Sequence, residues 1–144
     1  MLVHQILKSK SDDNVVTVTP GTLISEAAKI LAERRIGTVV VSADGKKANG
    51  ILSERDIVRE IATRGATCLT HSVDTYMTSK LVTCARNDSA DQVLKMMTEG
   101  HFRHMPVLEG GTLIGLITLG DVVKARLSEL AMEKDALEGM IMGH

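Results

Sequence analysis

The chain says the same thing twice. Gly50-Ile51-Leu52-Ser53-Glu54-Arg55-Asp56-Ile57-Val58 is echoed by Gly115-Leu116-Ile117-Thr118-Leu119-Gly120-Asp121-Val122-Val123. Each copy reads as a short apolar strand that ends in a hydroxyl residue, followed by a helix start with an aspartate three residues on. The likeness extends upstream. Thr22–Leu31 matches Asp88–Met97, Ile36–Val41 matches Phe102–Val107, and a turn follows in each copy (Asp44-Gly45, Gly110-Gly111). Even the lead-ins Val3–Leu7 and Val73–Met77 correspond. Self-similarity at a long period constrains the fold more than any local signal, because neither half is expected to bury its apolar face alone.

Local patterns name the elements of the repeat. Val15-Val16-Thr17-Val18 is short and β-branched, as strands are. Thr22 stands where an N-cap would, and Leu23, Ala27, Ile30 and Leu31 recur after it at helical spacing. Val39–Val41 and Ile51-Leu52 flank a turn like the arms of a hairpin. A second helix, Glu54 to Thr63, is expected to bury Ile57, Val58 and Ile61 and to stop at Gly65. Copy two offers Val122, Val123 and Leu127 in the same role. The unit is therefore strand, helix, strand, turn, strand, helix, and the fold class is α/β (α+β), built from two β-α-β-β-α repeats. The divisions expected are repeat 1 over residues 3–64, a connector over 65–72, repeat 2 over 73–127 and a C-terminal helical tail over 128–144. In that tail Leu130, Met132, Leu137, Met140 and Ile141 alternate with charged residues, so the helix docks either on its own chain or across a dimer. Ser9–Asn14 is polar and reads as a loop.

Composition narrows the function. The chain has 144 residues and a formal charge of −1, so it carries no global basic field for nucleic acid. Tyr76 and Phe102 are its only large aromatics, too few for the stacking platforms of a single-strand binder. Its apolar runs are too short to cross a bilayer, and no export leader precedes the first polar residues. A cytoplasmic location with Cys68 and Cys84 as reduced thiols is the expectation. Those cysteines, with His4, His71, His101 and His144, lack metal-ligand spacing, and no metal is assigned. No nucleophile elbow or Walker-type glycine loop is present, so an enzyme is not expected.

The repeated motif carries chemistry of its own. A helix N-terminus presents unpaired N–H groups and a partial positive charge, which attract phosphate. An ionised aspartate only accepts hydrogen bonds, which suits the vicinal hydroxyls of a ribose. Ser/Thr-x-x-Asp is equally a helix-capping pattern, and the two roles can coexist, with the hydroxyl capping when the cleft is empty.

The pattern Gly-apolar-apolar-Ser/Thr-x-x-Asp, closing a β-α-β-β-α unit present twice, resembles the tandem CBS domain (the Bateman module), over about Val3 to Arg126. The resemblance implies two units packed through their sheets, with two clefts that take adenosine compounds: AMP, ADP, ATP, NAD(H) or S-adenosylmethionine. It also implies that two chains pair into a flat disc, and that each aspartate works with the opening and central strands of the other repeat. The main cleft then comprises Ser53, Arg55, Asp56, Lys80, Leu81, Val82, Arg103, His104, Met105 and Pro106. The second comprises Val15, Val16, Thr17, Gly37, Thr38, Val39, Thr118, Gly120 and Asp121. Cationic donors crowd the first, whereas the residues around Asp121 are uncharged. A phosphate-bearing ligand is therefore expected beside Asp56, as a regulatory rather than catalytic group: AMP first, then ATP or ADP, then NAD(H). His104, if titrating near neutrality, would make affinity fall as pH rises. The function expected is a stand-alone nucleotide sensor, a homodimer acting through an effector protein. The alternative is a ligand-free dimerisation module.

Overall fold

A computed structural model describes residues 1–10 and 15–142. Residues 11–14 of the expected Ser9–Asn14 loop, and the last two residues of the tail, lie outside them. Two three-stranded sheets form, one per repeat, in the orders β1-β2-β3 and β4-β5-β6. In the first, β1 (Thr17–Val18) runs parallel to β2 (Thr38–Val41), which pairs antiparallel with β3 (Gly50–Ser53). In the second, β4 (Cys84–Ala85), β5 (His104–Glu109) and β6 (Thr112–Thr118) repeat the same directions. Helix α2 (Ile24–Arg34) joins β1 to β2 and α3 (Glu54–Arg64) follows β3. Their counterparts are α5 (Ala90–Gly100) and α6 (Leu119–Ile141). Short lead-in helices α1 (Val3–Ser9) and α4 (Val73–Tyr76) precede the repeats, with a 3₁₀ turn over Ala66–Thr70 between them.

The aliphatic composition appears as two cores. One gathers Ile24, Ala27 and Leu31 of α2 against Val39, Val41 and Leu52 of the first sheet. The other gathers Val93 and Met97 of α5 against Met105, Val107 and Ile117. The lead-ins are exchanged between them. Val3 and Ile6 of α1 belong to the core of the second repeat, and Val73 of α4 to that of the first. Backbone bonds hold the exchange: Val3 N–H donates to Asp88 O (2.8 Å) and Val73 N–H to Thr22 O (2.8 Å). Neither core is complete without chain from beyond its own repeat.

The exchange explains the glycine that opens each motif. A Cβ on Gly50 would lie 2.5 Å from Met77 Sδ, and one on Gly115 would lie 2.8 Å from Leu7 Cδ1. Met77 and Leu7 are corresponding residues of the two lead-ins, so each motif glycine makes room for the other repeat's lead-in. Strand β3 can then approach the chain closely enough for Ile51 N–H to donate to Thr78 O at 3.0 Å.

Several local expectations change. Thr22 does not cap α2; its hydroxyl donates to Thr19 O (2.7 Å), and Leu23 takes the N-cap position without a side-chain bond. Strand β1 covers only Thr17–Val18, although the Val16 carbonyl still accepts from Val40 N–H at 3.1 Å. On α3 only Ile57 is buried, while Val58 and Ile61 are exposed; on α6 Val122 is buried, but Val123 and Leu127 are exposed. Val58, Val123 and Leu127 lie beside the sheet-facing side of their helices, whereas Ile61 follows Ile57 on the same side one turn farther along. The expected tail does not start a new element: α6 runs unbroken from Leu119 to Ile141.

Candidate functional site

The site grows out of the step from β3 into α3. Ser53 Oγ accepts from Asp56 N–H (3.2 Å), and Asp56 Oδ2 accepts from Ser53 N–H (2.9 Å) and from the Ser53 hydroxyl (3.0 Å). This reciprocal capping box fixes where α3 begins. Asp56 Oδ1 faces Arg59 Nη1 at 3.3 Å, one turn along the helix. The carboxylate is thus held in place by its own helix, with its side chain 16% exposed.

Beside it opens a cavity of about 450 Å³, within the size range of small-molecule sites. Ser53, Arg55, Asp56, Lys80, Leu81, Val82, Arg103 and His104 all line it. These are eight of the residues expected in the main cleft, from both repeats. Lys80, Leu81 and Val82 reach it from the segment before β4 rather than from a strand. Met105 and Pro106 do not line it: they are buried on β5, and Met105 packs into the second core. Their strand stays in place, but its pleat turns the Met105 side chain away from the opening.

Residues outside the expected set also line the cavity. Arg59 follows Asp56 by three positions on the same helix face, so helical periodicity would have found it. Glu54, Thr78, His101 and Phe102 carried no such signal. Gly37 and Thr38, expected around Asp121, instead line the Asp56 cavity. A Cβ on Gly37 would sit 3.6 Å from both Glu54 Oε1 and His104 Nε2, which places the start of β2 against both repeats. Thr38 is 3% exposed, and its Oγ1 has no partner among the described residues.

Charge concentrates at this opening. Arg55, Arg59, Lys80 and Arg103 line it against the carboxylates of Glu54 and Asp56, so its wall is net cationic in a chain of formal charge −1. His104 is a weaker contributor to that charge than its residue type suggests. Burial pushes its pKa below the ordinary 6.5, and Arg103 and Lys10 push the same way, against Glu54 and Asp121. The expected pH effect of His104 as a neutral-range phosphate cation is therefore corrected, because desolvation favours its uncharged form. A folded pKa below the unfolded one gives a stability contribution that is full above pH 6.5 and is lost as pH falls through the folded value. Unfolding midpoints in denaturant should decline on acidification from pH 7 to pH 5, with a shallower slope in His104→Gln. An identical slope in that variant would refute this origin.

The second motif is organised differently. Thr118 Oγ1 accepts from Asp121 N–H (3.1 Å) and Asp121 Oδ2 accepts from Thr118 N–H (2.9 Å), the same capping box at the start of α6. Here a lysine has arrived. Lys10 Nζ sits 2.9 Å from Asp121 Oδ2 and donates to Leu116 O at 3.1 Å. The uncharged surroundings expected for Asp121 are thus corrected, since the exchanged lead-in ends at Lys10. Of the other residues expected there, Val39 is in the first core, Val16 packs against that core, and Thr17 and Gly120 are exposed.

Among the described residues no group of three or more His, Cys, Asp or Glu could hold a metal ion. No helix among them is long and apolar enough to cross a membrane. Cys68 and Cys84 are free and buried, and desolvation pushes the Cys84 thiol up to about 12.

Known proteins share this arrangement. The family model for the CBS domain matches residues 5–63 and 73–128. A mitochondrial CBS domain-containing protein of Arabidopsis thaliana is 29% identical over 148 residues, covering 98% of this chain and 72% of that protein. The crystal structure of a CBS-domain containing protein from Agrobacterium tumefaciens matches with a TM-score of 0.83 at 44% identity, covering 88% of this chain and 99% of that one. A CBS domain pair solved in complex with 5′-methylthioadenosine and S-adenosyl-L-methionine shares the fold at 23% identity, with a TM-score of 0.78 and 90% of this chain covered. With both repeats matched, both motifs folded alike and the sheets paired in the same order, the chain belongs to the CBS domain family, as a tandem pair.

Proposed function

We propose that this CBS pair is a non-catalytic regulatory module of the cytoplasm. It binds an adenine nucleotide in the Asp56 cavity and passes its occupancy to a partner protein. The observation that carries the reading is the convergence of Arg55, Arg59, Lys80 and Arg103 on a cavity whose edge is the fixed Asp56 carboxylate. The cations suit phosphate, and Asp56 can accept from ribose hydroxyls at the same time. The adenosine ligands of the structurally similar pair support an adenosine group here. AMP is the first candidate, followed by ATP or ADP and then NAD(H). At the second motif Lys10 is already paired with Asp121, whereas four cations line the Asp56 cavity, so the Asp56 cavity is the better site for a phosphate-bearing ligand. For occupancy to act as a signal, the ligand must bind one arrangement of the module more tightly than the other. The module works as a homodimer, to which the exposed Val58 and Ile61 of α3 and the apolar residues of α6 are available.

Calorimetric titration of AMP, ADP, ATP, NADH and S-adenosylmethionine into nucleotide-free protein tests the reading. Binding by one of them, lost in Asp56→Asn and largely kept in Asp121→Asn, is expected; asparagine keeps an acceptor for each cap while removing the charge. No binding by any of them to folded, empty protein would leave the assembly module as the better reading.

A further inference from the structure

Helix α6 has two faces with different business. Val122 and Ala125 are buried against the body, and Arg126 Nε reaches Asp91 at 2.7 Å. A second stripe runs through Val123, Leu127, Leu130, Lys134, Leu137 and Ile141, alternating steps of four and three residues. Those intervals are the a/d spacing of a coiled-coil seam, and the stripe lies about 110° around the helix from the body-facing residues. Its aliphatic members stand open: Val123 41%, Leu127 62%, Leu130 48%, Leu137 59% and Ile141 82% exposed. Five large aliphatic side chains on one regular stripe form the kind of exposed patch that marks an interaction surface.

We infer that this seam pairs antiparallel with the α6 seam of a second copy of this chain. The stripe is its own complement when reversed. Val123 then meets Ile141 of the partner subunit, Leu127 meets Leu137 of the partner subunit, and Leu130 meets Lys134 of the partner subunit. Lys134 can lay its stem along that leucine and keep its ammonium in water. On one flank Lys124 faces Glu138 of the partner subunit, so opposite charges meet twice. On the other flank Glu133 lies near its own copy, at an edge open to solvent. A parallel pairing would stack Lys134 on Lys134 of the partner subunit inside the seam, and would set Glu133 beside Glu138 of the partner subunit on both flanks. Charge therefore selects the antiparallel arrangement.

This rests on the homodimer reading above and gives it a place. Light scattering behind gel filtration should return twice the chain mass of 15.5 kDa. Leu137→Asp, which sets a carboxylate against Leu127 of the partner subunit, should raise the dimer dissociation constant by about a hundredfold, the loss typical of a central anchor. Leu130→Asp should be far milder, because it faces Lys134 of the partner subunit; in a parallel seam it would repel its own copy. Lys124→Glu or Glu138→Lys alone should weaken the dimer about three- to tenfold at low salt, and the two together should restore it. Circular dichroism checks that each exposed substitution leaves the fold unchanged. A wild-type monomer would end both the homodimer reading and this one. A dimer that survives Leu137→Asp but dissociates in Val58→Asp would end the seam alone and move the interface to α3. Equal damage from Leu130→Asp and Leu137→Asp would overturn the antiparallel register.

Discussion

Arg103→Ala is expected to weaken AMP binding by about ten- to a hundredfold while leaving the fold and its stability unchanged. A hydrogen bond to a charged group contributes about 1.5–3 kcal/mol, and a guanidinium on a phosphate is such a bond. Arg103 makes no ion pair among the described residues, and it is exposed at the cavity mouth. Removing it costs the protein little and the ligand much. Arg59 is a poorer probe, since it already engages Asp56 and its loss would disturb the ribose acceptor too. Adenosine supplies the control: without a phosphate it should bind wild type and Arg103→Ala equally. Equal losses for AMP and adenosine would mean that the arginine shapes the pocket rather than holding phosphate. Unchanged AMP affinity would remove Arg103 from the site.

Gly115→Val should destabilise the protein by about 1–3 kcal/mol, the usual cost of overpacking a closed core. Strand propensity alone predicts the opposite sign, since valine in place of glycine favours a strand on a scale that spans about 1 kcal/mol. The crowding decides. A Cβ there would stand 2.8 and 2.9 Å from the two methyls of Leu7, so the Leu7 side chain must shift and give up part of its packing against the second core. Denaturant titration should show a lower midpoint, and Leu7→Ala in the same chain should recover part of the loss by making room. A variant as stable as wild type would show that the Leu7 side chain moves aside at no cost, and that its contact with the motif glycine contributes little to holding α1 in place.

Much of this was legible in the residues because it is local. A capping box needs only Ser53 to Asp56 or Thr118 to Asp121, and a hairpin only the apolar arms around its turn. Repetition doubled those short signals, and the resemblance to the tandem CBS domain implied that Arg55, Lys80, Arg103 and His104 surround Asp56, where the structure gathers them. The errors were equally physical. Periodicity expected Val58, Ile61, Val123 and Leu127 to be buried with their neighbours, but a helix lying on one sheet covers only one side, which leaves out Val58, Val123 and Leu127, and Ile61, though on the side of Ile57, is exposed one turn farther along. Side-chain type expected His104 to titrate near neutrality, but burial sets its charge.

By itself the sequence determined the repeated unit, the order of its elements and the starts of the two motif helices α3 and α6. Each of these depends on residues a few positions apart, or on one copy read against the other. Only the tertiary structure decided which lead-in completes which core, that Gly50 and Gly115 lie against the lead-in side chains of Met77 and Leu7, that Gly37 and Thr38 serve the Asp56 cavity, and that Lys10 comes to Asp121. Those contacts join residues as far apart as Lys10 and Leu116, 106 positions along the chain. Their energies arise from how two similar halves pack, and a sequence read from one end to the other does not contain that packing in any local pattern.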